Sequence, residues 1–147
     1  MTDMLVVCSP GGHFSEARNL VKGLSDIDYK FVIHLAPDLP PELVSRVIIA
    51  PHAERDLRIF LQFAFALMCI WKERPKIVLS TGALPAVTFG LAGKLFGAKF
   101  IFVESPTRVT SPSLSARICH LFADVLYVRH SALLKRLPRG QYAGDNP

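Results

Sequence analysis

The stretch Met4-Leu5-Val6-Val7-Cys8-Ser9-Pro10-Gly11-Gly12-His13 decides the fold of this chain, because an apolar run leads directly into a glycine loop. The pattern returns at Ile77-Val78-Leu79-Ser80-Thr81-Gly82-Ala83. Each stretch predicts a buried strand that turns into a helix, and a glycine at the turn lets the backbone approach a ligand closely. The N–H groups at the start of the following helix favour an anion. The two loops therefore predict one cleft, lined by backbone, that binds phosphate or diphosphate.

Strands and helices alternate along the rest of the chain. The predicted strands are residues 4–8, 29–35, 46–50, 76–79, 99–103 and 125–128. The predicted helices are residues 14–24, 56–72 with Asp56 as N-cap, one from near Pro85 to Phe96, one ending at Phe122, and a short one at 131–136. Prolines 37, 40 and 41 predict a loop, and residues 140–147 an irregular tail. This order predicts a single α/β domain, residues 1–147, in which a Rossmann-like parallel sheet carries helices on both faces.

Composition narrows the function classes. Half of the 147 residues are hydrophobic and the net charge is +5, with twelve Lys and Arg against four Asp and Glu from Arg58 onward. That excess suits an anionic partner such as a membrane surface, a diphosphate or a nucleic acid, although scattered surface lysines explain it equally well. The three cysteines form no CxxC pair, which favours reduced thiols in the cytosol and no metal site. The opening residues do not resemble a signal peptide.

The run from Ile59 to Trp71 is apolar almost all round but is shorter than a membrane-spanning helix needs. It fits a buried helix, a helix on the membrane surface or a helix that docks a partner. Cations at both ends favour an anionic membrane. The candidate contact residues are Phe60, Phe63, Leu67 and Trp71. Because no basic residues interleave with these aromatics, we expect no nucleic-acid binding.

Three polar clusters fall where predicted strands end: Ser9 to His13, Ser80 to Ala83, and Glu104 to Arg108. Ligands of parallel sheets bind beyond the carboxyl ends of the strands, so we expect these clusters to share one cleft. The first loop lacks the lysine of a nucleoside-triphosphate loop and the spacing of a dinucleotide fingerprint, which disfavours both classes.

Five residues in these clusters carry candidate chemistry. His13 stands at a helix start, which favours a neutral ring able to accept a proton; the alternative is a capping histidine. The hydroxyls beside Gly82 fit an anion site or a plain helix N-cap. Glu104 fits a general base, a sugar ligand or an ion-pair partner of Arg108, whose guanidinium fits a phosphate.

The ordered set of motifs resembles the PssD-type subunit of bacterial polysaccharide glycosyltransferases, and the glycine-His loop is similar to the acceptor loop of MurG-type enzymes. The motifs are Ser9-Pro10-Gly11-Gly12-His13, Ser80-Thr81-Gly82-Ala83, Gly93-Lys94, Phe102-Val103-Glu104-Ser105, Arg108 with Ser111-Pro112-Ser113-Leu114, and Ala123-Asp124. A eukaryotic relative of that family is the membrane-anchoring subunit of the dolichyl-diphosphate GlcNAc transferase. This sequence shows no N-terminal spanning helix, which favours the bacterial type.

The resemblance implies the N-terminal, acceptor-binding half of a GT-B glycosyltransferase. A PssE-type chain would bind the UDP-sugar donor. The pair would transfer a sugar, with inversion and without a required cofactor or metal, to a sugar on a polyprenyl diphosphate. For bacterial members the implied donor is UDP-glucuronate and the linkage β-1,4, in exopolysaccharide or capsule synthesis. The implied location is the cytoplasm, at the inner face of the cell membrane.

By position, the resemblance implies that the diphosphate is held by Gly11, Gly12, Ser80, Thr81 and Gly82. Arg108 joins them as a candidate for diphosphate or acceptor binding because of its guanidinium. His13 would be the general base or a diphosphate contact, and Glu104 the alternative base or a sugar ligand. Two other functions remain open: a non-catalytic protein that recruits a catalytic partner to the membrane, and a small nucleotide- or phosphosugar-binding module.

Overall fold

The computed structural model describes residues 2–34, 39–53 and 57–144. These residues form a seven-stranded sheet in the order β3-β2-β1-β4-β5-β6-β7, with every neighbouring pair parallel. The strands are β1 (Met4–Val7), β2 (Tyr29–Ile33), β3 (Val47–Ile49), β4 (Ile77–Ser80), β5 (Lys99–Val103), β6 (Val125–Val128) and β7 (Gln141–Tyr142). The predicted α/β class with a parallel sheet is confirmed.

Helices cover both faces of the sheet. They are α1 (Gly12–Val21), α2 (Arg58–Glu73), α3 (Leu84–Leu95) and α4 (Leu114–Cys119), with 3-10 helices at Pro41–Arg46 and Ser131–Lys135. Successive strand residues point to opposite faces. Leu5 and Phe100 therefore pack beneath α2, α3 and α4, whereas Val6 packs beneath α1 and the first 3-10 helix.

Two elements depart from the sequence prediction. The tail, predicted as irregular, contains β7, which pairs with β6 through the backbone. The loop predicted from its prolines contains the first 3-10 helix. Three parts of the sequence prediction lie outside the described residues: the strand end at residue 35, the proline at 37 and the N-cap at Asp56.

Helix α2 is not fully buried, so the buried helix that was one of the three predicted alternatives is wrong. Its inner side packs into the core through Gln62, Ala66, Cys69 and Ile70. Its outer side exposes large apolar side chains, with Phe60 70% and Trp71 60% exposed. Others on α2 and α3 are also exposed: Leu57, Leu61, Met68, Leu91, Leu95 and Phe96. We call this set the apolar face; within the described ranges, no helix is long and apolar enough to cross a membrane.

Candidate functional site

The two glycine loops lie side by side because β1 pairs directly with β4. Side-chain hydrogen bonds then join them. The Thr81 hydroxyl donates to the carbonyl of His13 at 3.0 Å, and the Ser80 hydroxyl donates to the carbonyl of Val7 at 2.7 Å. Ser80 and Thr81 are both fully buried. Their hydroxyls thus bind protein backbone, and neither caps α3, whose N-cap is Ala83.

The imidazole of His13 rests on Gly82. A methyl group built at Gly82 would come within 3.1 Å of His13 Cε1. Gly82 also has a φ of +127°, which side chains other than hydrogen rarely allow. His13 Nδ1 is buried and has no hydrogen-bond partner, so the ring is held by packing rather than by a capping bond.

Main-chain groups of the first loop are exposed. Gly11 and Gly12 are exposed at the start of α1, where the first N–H groups of a helix lack partners within the helix. Ala83 takes a φ of +66° and a ψ of 179°, a strained conformation of the kind that concentrates at functional sites. The first loop therefore presents backbone donors, the arrangement expected for an anion site. In the second loop, the Gly82 N–H is buried and donates to the Ser80 hydroxyl at 3.3 Å.

Glu104 anchors the loop of residues 105–113. Its side chain is only 1% exposed, and its two carboxylate oxygens accept the N–H groups of Ser105 at 3.0 Å and Ser113 at 2.7 Å. Glu104 and Arg108 are both described, and the ion pair that was one alternative for them does not form, because the two N–H groups occupy the carboxylate. Ser113 itself caps α4 through its hydroxyl, which accepts from Ala116 N.

Arg108 is exposed on that loop and lines a pocket of about 240 Å³ together with Ala83, Leu84, Val87 and Ser113. The structure thus brings the second glycine loop and Arg108 to one pocket. A second pocket of about 260 Å³ lies between α2 and α3. Its lining is Ile59, Phe60, Phe63, Val87, Thr88 and Leu91. Val87 borders both pockets, so the pocket that contains Arg108 and the apolar pocket adjoin on α3.

The other candidate contact residues on α2 differ in exposure. Phe63 and Leu67 are half-buried and pack against the core. Trp71 is exposed and shares a pocket with Phe96 at the far end of α3. Cations lie at both ends of α2, with Arg58 at its start and Lys72 and Arg74 at its end.

Glu16 was not among the candidates predicted from the sequence. It lies one turn after His13 on α1, half-buried, and its Oε1 is buried without a hydrogen-bond partner. Burial raises the pKa of Glu16 to about 7; the positive charge of Arg129 opposes this and the negative charge of Glu104 adds to it. An acid three residues after the histidine was the available signal, but it is typical of an ordinary helix surface.

Thiol and metal chemistry find little support. Cys8, Cys69 and Cys119 are buried and unpaired. Burial raises the pKa of Cys8 and Cys119 to about 12 and that of Cys69 to about 11, so the thiols are protonated and unreactive at neutral pH. In the part of the chain that the structure describes, no three His, Cys, Asp or Glu residues are grouped to hold a metal.

The sequence is similar to a known protein family and to one of its curated relatives. The family model described as "Oligosaccharide biosynthesis protein Alg14 like" matches residues 44–145. The UDP-N-acetylglucosamine transferase subunit ALG14 of Yarrowia lipolytica is 30% identical over 90 residues, covering 57% of this chain and 42% of the relative. The chain therefore spans about two fifths of that relative's length. The family match contains the second loop, Glu104 and Arg108, and begins after the first loop.

Solved structures share the fold at low sequence identity. MurG of Acinetobacter baumannii superposes with a TM-score of 0.68 and 14% identity, covering 86% of this chain and 41% of that chain. The UDP-N-acetylglucosamine 2-epimerase of Rickettsia bellii gives 0.76 and 12%, covering 98% and 45%. The sheet and its helices thus match one half of GT-B glycosyltransferases and of these epimerases. Because both classes share it, the fold alone does not assign the reaction.

Proposed function

This chain belongs to the Alg14-like family of oligosaccharide biosynthesis proteins, and we propose that it is the acceptor- and membrane-binding subunit of a two-chain inverting glycosyltransferase. The pair transfers a sugar from a UDP-sugar to a sugar carried on a polyprenyl diphosphate. We propose glucuronate as the donated sugar and β-1,4 as the linkage, in exopolysaccharide or capsule synthesis.

The observation that carries this proposal is the meeting of two unlike pockets at Val87. One pocket has Arg108 and the strained backbone of the second glycine loop, which suit a diphosphate. The other is apolar and opens onto the apolar face, which suits the first isoprene units of a lipid. A polyprenyl diphosphate has both parts joined in one molecule. A soluble nucleotide has no group for the second pocket.

The apolar face supports association with a membrane. Its aromatic side chains and flanking cations match a lipid surface with anionic headgroups. We propose that the protein lies peripherally on the inner face of the cell membrane through Phe60, Trp71 and their neighbours, with Phe63 and Leu67 supporting them from beneath.

Within the cleft, we propose that the N–H groups around Gly11 and Gly12 and the side chain of Arg108 hold the diphosphate, while Gly82 makes room for the His13 imidazole beside them. Ser80 and Thr81 act on it indirectly, by fixing the loops. His13 contacts the diphosphate or accepts the proton of the acceptor hydroxyl. Glu104 stays the alternative base or sugar ligand of the resemblance, although both of its oxygens already accept N–H groups.

We propose a PssE-type chain as the donor-binding partner. The curated relative is itself named a transferase subunit, which supports a second chain. That relative is also named for UDP-N-acetylglucosamine, so this donor is the competitor of UDP-glucuronate in any test.

The decisive experiment measures transfer of labelled sugar to polyprenyl-diphosphate-glucose. UDP-glucuronate and UDP-N-acetylglucosamine are compared as donors, with this chain alone, with the PssE-type chain alone and with the pair. We expect transfer from UDP-glucuronate by the pair only, reduced strongly by Arg108→Ala. Full activity of the partner alone in detergent would instead mean that this chain only docks its partner. Binding of UDP by this chain alone, without transfer by the pair, would favour a nucleotide-binding module.

A further inference from the structure

The carboxylate of Glu16 has no structural task that the described residues reveal. Its Oε1 is buried and accepts no hydrogen bond, and a desolvated acceptor without a partner costs stability. Buried polar atoms left unpaired in a folded protein are rare and concentrate at functional positions. Glu104, the other acid at this end of the sheet, is the contrast, because both of its oxygens accept N–H groups.

Glu16 lies at the end of the sheet that carries the candidate site. It lies on the first turns of α1, directly after the glycine loop and three residues after His13. Two charged groups from other elements act on it: Arg129, the residue after β6, and Glu104, the residue after β5. Glu16 therefore lies within electrostatic reach of the residues that follow β5 and β6, at the end of the sheet where the first loop presents its N–H groups.

We propose that Glu16 accepts the proton of the acceptor hydroxyl in the transfer reaction, an inference that rests on the proposed function. His13, packed on Gly82 beside the glycine N–H groups, then serves as a diphosphate contact. The sequence resemblance placed the carboxylate role at Glu104. This assignment moves that role to Glu16, whose Oε1 is not already hydrogen-bonded.

The chemistry balances without a further reactant. The oxygen of the acceptor hydroxyl forms a bond to the anomeric carbon of the UDP-sugar as its proton moves to the Glu16 carboxylate. The bond between that carbon and the diphosphate oxygen breaks, and its electron pair leaves with UDP. A general base works best when its pKa lies near the working pH. Burial brings the pKa of Glu16 to about 7, and the charge of Arg129 favours the carboxylate form that must accept the proton.

The test is steady-state kinetics of the pair with wild-type chain, Glu16→Gln, Glu16→Asp and the matched control Glu42→Gln. Glu42 is exposed on the first 3-10 helix, away from the cleft. We expect Glu16→Gln to lower kcat roughly 100-fold or more, the scale of lost general-base catalysis, with the acceptor KM changed less than about threefold. Glu16→Asp should retain part of kcat, and Glu42→Gln should match the wild type.

The pH profile adds a readout that a structural role would not change. In the wild type, kcat/KM should fall below an apparent pKa near 7, and Glu16→Gln should lose that acidic limb. A Glu16→Gln variant with wild-type kcat, or with raised KM and unchanged kcat, would overturn the assignment as proton acceptor. If the wild-type pair transfers no sugar, the proposed function fails and the inference fails with it. Thermal unfolding of each variant separates loss of fold from loss of chemistry, and Glu16→Asp provides the comparison if Glu16→Gln does not fold.

Discussion

The side-chain hydroxyl of Thr81 donates a 3.0 Å hydrogen bond to the main-chain carbonyl of His13. The two residues are 68 positions apart in the sequence, and Thr81 is fully buried beneath the loops. This bond ties the start of α1 to the turn before α3. The two halves of the proposed diphosphate site are thus held at a fixed separation before any ligand arrives, which reduces the ordering that binding requires.

Replacing Thr81 by valine should loosen this connection without changing side-chain volume much. The His13 carbonyl loses its donor, so we expect a loss of about 1 to 2 kcal/mol in the free energy of unfolding. The acceptor kcat/KM should fall roughly tenfold, because displaced catalytic groups are costly. Denaturant unfolding and the transfer assay measure both. Thr81→Ser keeps the hydroxyl and should retain the wild-type kcat/KM, although the loss of its buried methyl group lowers stability by about 1 kcal/mol. An equal fall in kcat/KM in the two variants would contradict the role of the hydrogen bond.

Gly82→Ala should act on His13 directly. The new methyl group would lie 3.1 Å from His13 Cε1, and the φ of +127° is strained for alanine. We expect a stability loss of about 1 to 3 kcal/mol and a fall in activity of roughly tenfold or more from the displaced imidazole. Gly23→Ala is the matched control, since Gly23 has open space around it. A Gly82→Ala enzyme with wild-type kcat would show that the position of the imidazole is unimportant.

The central strands β1 and β4 were predictable because most of their side chains are buried on both faces. A run such as Leu5-Val6-Val7 can only be a central strand, and the glycine loops after β1 and β4 mark where helices begin. β7 was not predictable, because the two residues Gln141 and Tyr142 are exposed and pair through backbone alone. No periodicity of side chains reports such an edge strand.

The candidate site was predictable in place but not in detail. Topology brings the ends of β1, β4 and β5 together, so the three clusters could be assigned to one edge. The direction of each side chain depends on contacts between distant residues. The Glu104 carboxylate turns inward to meet the N–H of Ser113, nine residues later, and the Ser80 hydroxyl turns toward Val7. Neither contact leaves a signal in the local sequence.

Glu104→Gln tests whether this acid is structural. The Glu104 carboxylate accepts two N–H groups, whereas an amide presents only one acceptor oxygen beside its donor group. One of the two N–H groups must therefore lose its partner in the variant. We expect a loss of about 1 to 3 kcal/mol in stability and a lower melting temperature. Activity should fall because the loop that carries Arg108 loosens, while the pH dependence of kcat/KM keeps its shape. Full stability combined with a lost acidic limb would instead make Glu104 the base.

The apolar face can be tested with vesicles of anionic and neutral phospholipid. The double variant Phe60→Ser with Trp71→Ser removes two large exposed side chains, and we expect vesicle binding to weaken roughly tenfold or more. Val44→Ser is the control, since Val44 is 60% exposed on the first 3-10 helix, on the opposite side of the sheet. Unchanged sedimentation with vesicles would reassign the apolar face to a protein partner.

Glu16→Gln should make the protein more stable at alkaline pH while it lowers kcat roughly 100-fold or more. Burial raises the pKa of Glu16 from 4.5 to about 7 in the folded state. The folded protein therefore binds more protons than the unfolded chain between these values, and stability falls as the pH rises through that range. Each pKa unit corresponds to about 1.4 kcal/mol, and solvent screening of this half-exposed group lowers the total to about 1 to 2 kcal/mol.

Glutamine cannot ionise, so the variant should escape this loss. We expect the free energy of unfolding of Glu16→Gln to exceed that of the wild type by that amount at pH 8 and to equal it near pH 4, with Glu42→Gln unchanged at both. Denaturant unfolding at the two pH values gives the comparison. A residue kept for structure would show the opposite: if Glu16 served as the ion-pair partner of Arg129, the glutamine variant would be the less stable protein at pH 8. Gain of stability together with loss of kcat would identify a carboxylate retained for its chemistry at the expense of the fold.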